Sequence, residues 1–135
     1  MKEIKLLAVD ENLYKVLDFI KEQLADYEYP EDKVTMLSIA VEEIFVNISH
    51  YAYNPEVGPA TIQVEVDESP LSVTITFFDN GIPYDPLLKC DPDITLDADE
   101  RAIGGLGIYM VKQSMDDMCY EYKDGQNVLT IKKLL

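Results

Sequence analysis

The order of hydrophobic periods along the chain predicts an α+β fold: a two-layer α/β sandwich in which helices cover one face of a mixed, mostly antiparallel sheet. Two observations point there. Some segments alternate apolar and polar residues with period two, and others repeat apolar residues at helical spacing, in the order β-α-α-β-β-loop-α-β-β. The strands at 60–67 and 71–78, and those at 117–123 and 127–133, are each joined by only a few residues, which suits antiparallel neighbours.

Residues 2–9 alternate weakly and suit a short edge strand. Asp10 is placed to cap the helix that follows, where Leu13, Val16, Leu17, Ile20, Leu24 and Tyr27 recur at helical spacing. Tyr29-Pro30 breaks that helix, and Pro30 starts the next, with Glu31 and Asp32 in the first turn where the helix dipole favours acids. This second helix extends to about Ala52 on a stripe of Val34, Leu37, Val41, Ile44, Ile48 and Tyr51, and Asn54-Pro55 ends it. Ile62, Val64 and Val66 then alternate with Gln63, Glu65 and Asp67, and Leu71, Val73, Ile75 and Phe77 with Ser72, Thr74 and Thr76, so each strand buries one face. Residues 79–104 are rich in proline and aspartate and carry little periodicity. A loop of roughly 25 residues inside a compact domain is usually functional or disordered. A third helix is expected from about Leu106 to Met115, and a turn at Asp124-Gly125 joins the last two strands.

A chain of 135 residues fits one domain. Its net charge of −15, from 11 basic and 26 acidic residues, removes nucleic acid as a main partner, because displacing counterions from phosphates needs a basic face. The same charge disfavours anionic membranes and attracts basic protein partners. Residues 1–10 do not read as a signal peptide, and no apolar run approaches the roughly 20 residues that span a bilayer. Cys90 and Cys119 match neither a disulfide framework nor a zinc spacing, so a reducing cytoplasm is the expected setting.

Three motifs carry chemistry. Glu43 and Asn47 lie one helical turn apart, flanking the apolar stripe of the second helix, while Glu42 points to solvent. Asn offers a neutral oxygen to a hard cation such as Mg²⁺, and Glu can take a proton from an attacking hydroxyl. Asp79-Asn80-Gly81 ends an apolar strand, where Asp79 can accept a hydrogen bond from an exocyclic amine and Gly81 permits a close approach. Gly104-Gly105-Leu106-Gly107 opens a helix, so bare N–H groups and the positive helix end favour phosphate. It is neither a Walker loop nor a dinucleotide fingerprint. Singly, each reads more readily as a polar helix flank, an ordinary turn or a helix start.

Together their order and spacing resemble the N, G1 and G2 boxes of the Bergerat-fold, histidine-kinase-like ATPases, which include gyrase, histidine kinases and mismatch-repair ATPases. Within that superfamily the chain is most similar to the bacterial anti-sigma factor/serine-protein kinase family. Glu43-Ile44-Phe45-Val46-Asn47 resembles its E-x-x-x-N box, and Asp79 through Pro86 its D-x-G-x-P-[FY]-D-P box. Glu100-Arg101, Gly104 through Val111 and Met115-Asp116-Asp117 resemble its final box. The resemblance covers nearly the whole chain and implies a single ATPase domain over 1–135 with 85–103 as the ATP lid.

It further implies ATP and Mg²⁺ as cofactors, with Glu43 as general base toward a serine hydroxyl, Asn47 as the metal ligand and Asp79 receiving the adenine amine beside Gly81. Gly104, Gly105 and Gly107 would cradle phosphates, Arg101 would reach them from the lid, His50 would lie near them, and Thr130 would lie near the adenine. The implied partners are a sigma factor and an anti-sigma-factor antagonist protein, with a homodimer as a further implication. The phosphate loop lacks a lysine, the extra glycines of histidine kinases are missing and no phospho-acceptor helix domain is present, which favours a stand-alone serine kinase. A nucleotide-binding interaction module without phosphate transfer, or a plain scaffold, remains open.

Overall fold

In the computed structural model, residues 1–88 and 105–135 are described. The five strands among them form one sheet in the order β1-β2-β3-β5-β4, with β1 Lys2–Leu7, β2 Pro59–Asp67, β3 Ser72–Asp79, β4 Asp117–Lys123 and β5 Gln126–Leu134. Every neighbouring pair is antiparallel, so the sheet is more uniform than the mixed one expected. The two central registers, Ile62↔Phe77 and Phe77↔Leu129, put apolar side chains of three strands on one face. That face carries Ile62, Val64, Val73, Ile75, Phe77, Leu129 and Ile131, all buried. On the other face the same alternation leaves Thr61, Thr76 and Thr130 half-buried.

Three helices, α1 Leu13–Gln23, α2 Glu31–Asn47 and α3 Gly105–Ser114, add their apolar stripes to that core. Val16 and Ile20 come from α1, Leu37, Val41, Ile44 and Phe45 from α2, and Val111 from α3. Phe45 and Phe77 are among the largest fully buried side chains, and burying one of this size stabilises the fold by about 1.5–3 kcal/mol. The β4–β5 hairpin closes through Asp124 at φ 56° and Gly125 at φ 77°. Two successive left-handed residues twist as the strands do, which is why Asp-Gly serves here.

Two sequence expectations change at the helix ends. Asp10 does not cap α1. A 3-10 turn, Asp10–Asn12, precedes that helix, and the Asp10 carboxylate is engaged by Ser49 and His50 instead. The second helix does not run on unchanged to Ala52. After Asn47 the chain widens into one π turn, Ile48–Ala52, which rotates the stripe so that Ile48 stays buried while Tyr51 is 60% exposed. Pro30 stands directly before Glu31 and Asp32, as the sequence indicates.

Candidate functional site

The π turn matters because it forms one wall of a cavity of about 480 Å³ between the helices and the end of the sheet. Asn47, Ile48, Tyr51 and Ala52 line that wall, Phe77 and Leu129 come from the sheet, and Ile82, Tyr84 and Pro86 close the opposite side. Ile108 of α3 reaches one end, and Asp79, Tyr120 and Asn127 gather the polar groups. A mostly apolar cleft of this size with a few convergent polar groups suits a small, flat ligand.

Asp79 is fixed by the strand that delivers it. It ends β3 on the buried parity, paired with Ala60 on one side and Asn127 on the other, and is 6% exposed. Its Oδ1 accepts from the Gly81 backbone N–H at 2.9 Å and from Asn127 Nδ2 at 2.9 Å. Its Oδ2 receives no hydrogen bond from the described residues, an open acceptor on a buried carboxylate. Burial pushes the Asp79 carboxyl above its ordinary range, and the hydrogen bonds from Asn127 and Gly81 partly oppose this. Gly81 is required by contact rather than by its φ: a Cβ there would lie 2.3 Å from the Ala52 carbonyl oxygen. The adjacent Ile82 N–H donates to that oxygen at 3.0 Å, so the turn after β3 is seated on the π turn.

Tyr53 ties the same corner to β2. Its hydroxyl donates to Pro59 O at 2.5 Å and accepts from Asn80 N–H at 2.7 Å, and its ring fills the space that a side chain at Gly58 would take.

Asn127 is the hub that sequence reading missed. Its Nδ2 donates to Asp79 Oδ1 and to Ile82 O at 2.8 Å, while its Oδ1 accepts from Tyr84 N–H at 3.1 Å and from the Tyr120 hydroxyl. Burial raises the Tyr120 hydroxyl above its ordinary value, keeping it a neutral donor. One signal was available: Asn127 shares the inward parity of Leu129 and Ile131, and a polar residue in a core register needs partners.

The other predicted residues are placed as follows. Asn47 lines the cavity. Glu43 is half-buried one turn earlier on α2 and does not line it; its carboxylate lies against Gly107, where a Cβ would come within 2.0 Å of Oε1. Gly105 begins α3. His50 does not reach the cavity: it pairs with Asp10 at 2.7 Å, its side chain 48% exposed. Strand parity turns Thr130 to the face opposite Leu129 and Ile131, where its hydroxyl meets that of Thr76 at 3.3 Å. Arg101, Gly104, Cys90 and residues 89–103 of the expected lid lie outside the described residues. The lid's first residues are described: Asp85 Oδ1 accepts from Leu87 N–H at 2.8 Å, starting a short 3-10 turn at Pro86–Leu88.

The arrangement fits a nucleotide. The open oxygen of Asp79 awaits an N–H donor inside an apolar slot, as an adenine would supply. For a metal, no group of three or more His, Cys, Asp or Glu that could hold an ion occurs among the described residues. Asn47 lines the cavity with a neutral amide oxygen, a hard donor of the kind oxygen-seeking cations take. No helix among the described residues is long and apolar enough to cross a membrane.

Comparisons with known proteins point to one family. The sequence profile described as the histidine kinase-like ATPase domain matches residues 6–133. The serine/threonine-protein kinase BtrW of Bordetella bronchiseptica is 30% identical over 95 residues, covering 70% of this chain and 66% of the relative. The serine-protein kinase RsbW of Listeria monocytogenes is 32% identical over 111 residues, covering 78% of this chain and 67% of the relative. RsbW of Bacillus cereus is 31% identical over 105 residues, covering 75% and 64%. The matched region thus spans about two thirds of these relatives' own length.

Proposed function

The chain belongs to the histidine kinase-like ATPase domain family, and from that premise we propose that it binds ATP with Mg²⁺ and acts as an anti-sigma-type serine-protein kinase on a small antagonist protein. The observation that carries the reading is Asp79, a buried carboxylate that lines a mostly apolar cavity and has one oxygen without a hydrogen bond from the described residues. In this reading Asp79 Oδ2 accepts the adenine amine, Gly81 keeps the turn close to the base, and Asn47 gives its side-chain oxygen to the metal. Gly105 and Gly107 offer backbone N–H groups at the start of α3. The family resemblance assigns Gly104, and Arg101 of the 85–103 lid, both outside the described residues, to the phosphates as well. Bound ATP and its magnesium supply the phosphoryl group and neutralise charge, so positioning is the protein's main task. Glu43 takes the serine proton. A sigma factor is the second partner, and the net charge of −15 draws basic surfaces toward the chain. The setting is the cytoplasm.

A nucleotide-binding interaction module without transfer is the second reading. It is favoured by Glu43, whose carboxylate lies against Gly107 and away from the cavity lining.

One experiment tests both. Mg-ATP should raise the melting temperature, since a ligand of the folded state stabilises it by mass action, and Asp79→Asn should abolish the shift. Glu43→Gln should keep ATP affinity and lose about 10²–10⁴ in transfer rate to a cognate antagonist serine. No melting shift and no calorimetric heat with saturating Mg-ATP sinks nucleotide binding. Tight ATP binding without labelling of any antagonist leaves the interaction module.

A further inference from the structure

Asn127 holds an orientation that its neighbours dictate. Tyr84 N–H can only donate and Ile82 O can only accept, so the amide must place Oδ1 toward the first and Nδ2 toward the second. With Nδ2 so placed, Asp79 Oδ1 must be an acceptor, and it already takes the Gly81 N–H as well. Both donors converge on one carboxylate oxygen. The other, Oδ2, takes no hydrogen bond from the described residues, and Asp79 lines the same cavity as Phe77, Ile82 and Leu129.

We propose that Asn127 is the positioning residue that sets base specificity: by occupying Oδ1 of Asp79 it presents Oδ2 as the one open acceptor, which selects a 6-amino purine over a 6-oxo purine. The inference rests on the nucleotide reading above and adds to it a residue and a substrate discrimination. A purine with N–H at position 6 satisfies Oδ2, whereas a carbonyl there sets oxygen against oxygen in a buried site. Sites built to hydrogen-bond a ligand group reject an analogue lacking it far more strongly than apolar pockets reject a change in shape. Without the Asn127 donor, Asp79 Oδ1 has spare capacity and the carboxylate can rotate or hold a proton on either oxygen. The discrimination then weakens. Asn127 contacts no ligand atom in this scheme and acts through Asp79.

The test compares ATP with inosine triphosphate, which differs from it in the base ring at position 6. Dissociation constants for both are measured by calorimetry on the full chain in excess Mg²⁺. The wild type should prefer ATP by about tenfold or more, the size of a lost buried hydrogen bond. Asn127→Ala should weaken ATP and leave inosine triphosphate nearly unchanged, so that the ratio collapses. Asn127→Asp keeps the shape and removes the donor, and it serves if the alanine variant does not fold. Its ratio should also collapse, and its ATP affinity should become pH-dependent, because two facing carboxylates share a proton. A merely structural role would weaken both nucleotides equally, and an unchanged ratio in a folded variant overturns the inference while leaving ATP binding intact. Wild-type protein that binds neither nucleotide overturns the inference and the nucleotide reading together.

Discussion

Two aspartates flank the π turn, Asp10 bonded to its start and Asp79 in the β3 corner whose Ile82 N–H donates to Ala52 O at its end, and each receives two hydrogen bonds, yet their chemistry differs. Asp10 lies outside, its side chain 53% exposed, taking Ser49 Oγ on Oδ1 and His50 Nε2 on Oδ2. Those bonds, His50 first, hold its carboxyl below the ordinary range. Asp79 lies inside, 6% exposed, with both donors on Oδ1. Burial outweighs those donors and its carboxyl is raised. The number of hydrogen bonds therefore does not decide the sign; burial does, and the distribution of donors decides what is left over. Asp10 has both oxygens engaged in tying the start of α1 to the π turn. Asp79 retains one oxygen for a ligand.

The comparison breaks most severely where the inner corner is forced off the π turn. A Cβ at Gly81 would sit 2.3 Å from Ala52 O and 2.6 Å from Ala52 Cβ, and the backbone oxygen has nowhere cheap to go. Gly81→Ala should destabilise the fold by about 1–3 kcal/mol, the usual range for overpacking, measured by urea unfolding. A neutral result would mean that the Asp79 turn and the π turn are not locked together. That outcome would remove the premise that the corners of both aspartates are seated on one element.

Much of this arrangement is legible in the sequence, for specific reasons. Strands β2 and β3 alternate cleanly because one face is buried, and Asp124-Gly125 marks its hairpin because few other pairs accept two positive φ values. Asp79 and Gly81 stand out because a strand end and a tight turn coincide there. What stays hidden depends on pairings distant in the chain. Asn127 becomes a hub only once β5 is registered against β3, 48 residues away from Asp79. Asp10 looks like a cap until Ser49 and His50, 39 and 40 residues on, are folded against it. The π turn is invisible because Ile48 and Tyr51 continue the helical spacing while the backbone widens beneath them. Thr130 was readable: Leu129 and Ile131 point inward, so Thr130 points out.

A smaller effect sharpens the electrostatic half of the comparison. Because the Asp79 carboxyl is raised in the folded state, the native protein holds more protons than the unfolded chain just above the ordinary carboxylate value of about 3.9. Its contribution to stability is present below that value and is lost as pH rises through the raised one. Thermal unfolding of ligand-free protein should show this decline, and Asp79→Asn should lack it, gaining on the wild type as pH approaches neutrality. A variant that loses ground to the wild type over that window would show that the hydrogen bonds, and not burial, dominate at Asp79.

The smallest effect belongs to Asp10, and its sign is the sharpest check. Its carboxyl is lowered, so the unfolded chain binds the proton first and the contribution runs the other way. It is present above the ordinary carboxylate value and is lost as pH falls through the lowered one. Water surrounds this pair, and exposed ion pairs contribute little, so the change should be modest and should shrink further in high salt. Asp10→Asn should therefore melt slightly below the wild type at neutral pH and converge with it in acid, where Asp79→Asn behaves oppositely. The two variants, followed across one pH series, move relative to the wild type in opposite senses as pH rises if burial separates the two carboxylates. Parallel curves would mean that a single property of the π turn, shared by both ends, governs both aspartates.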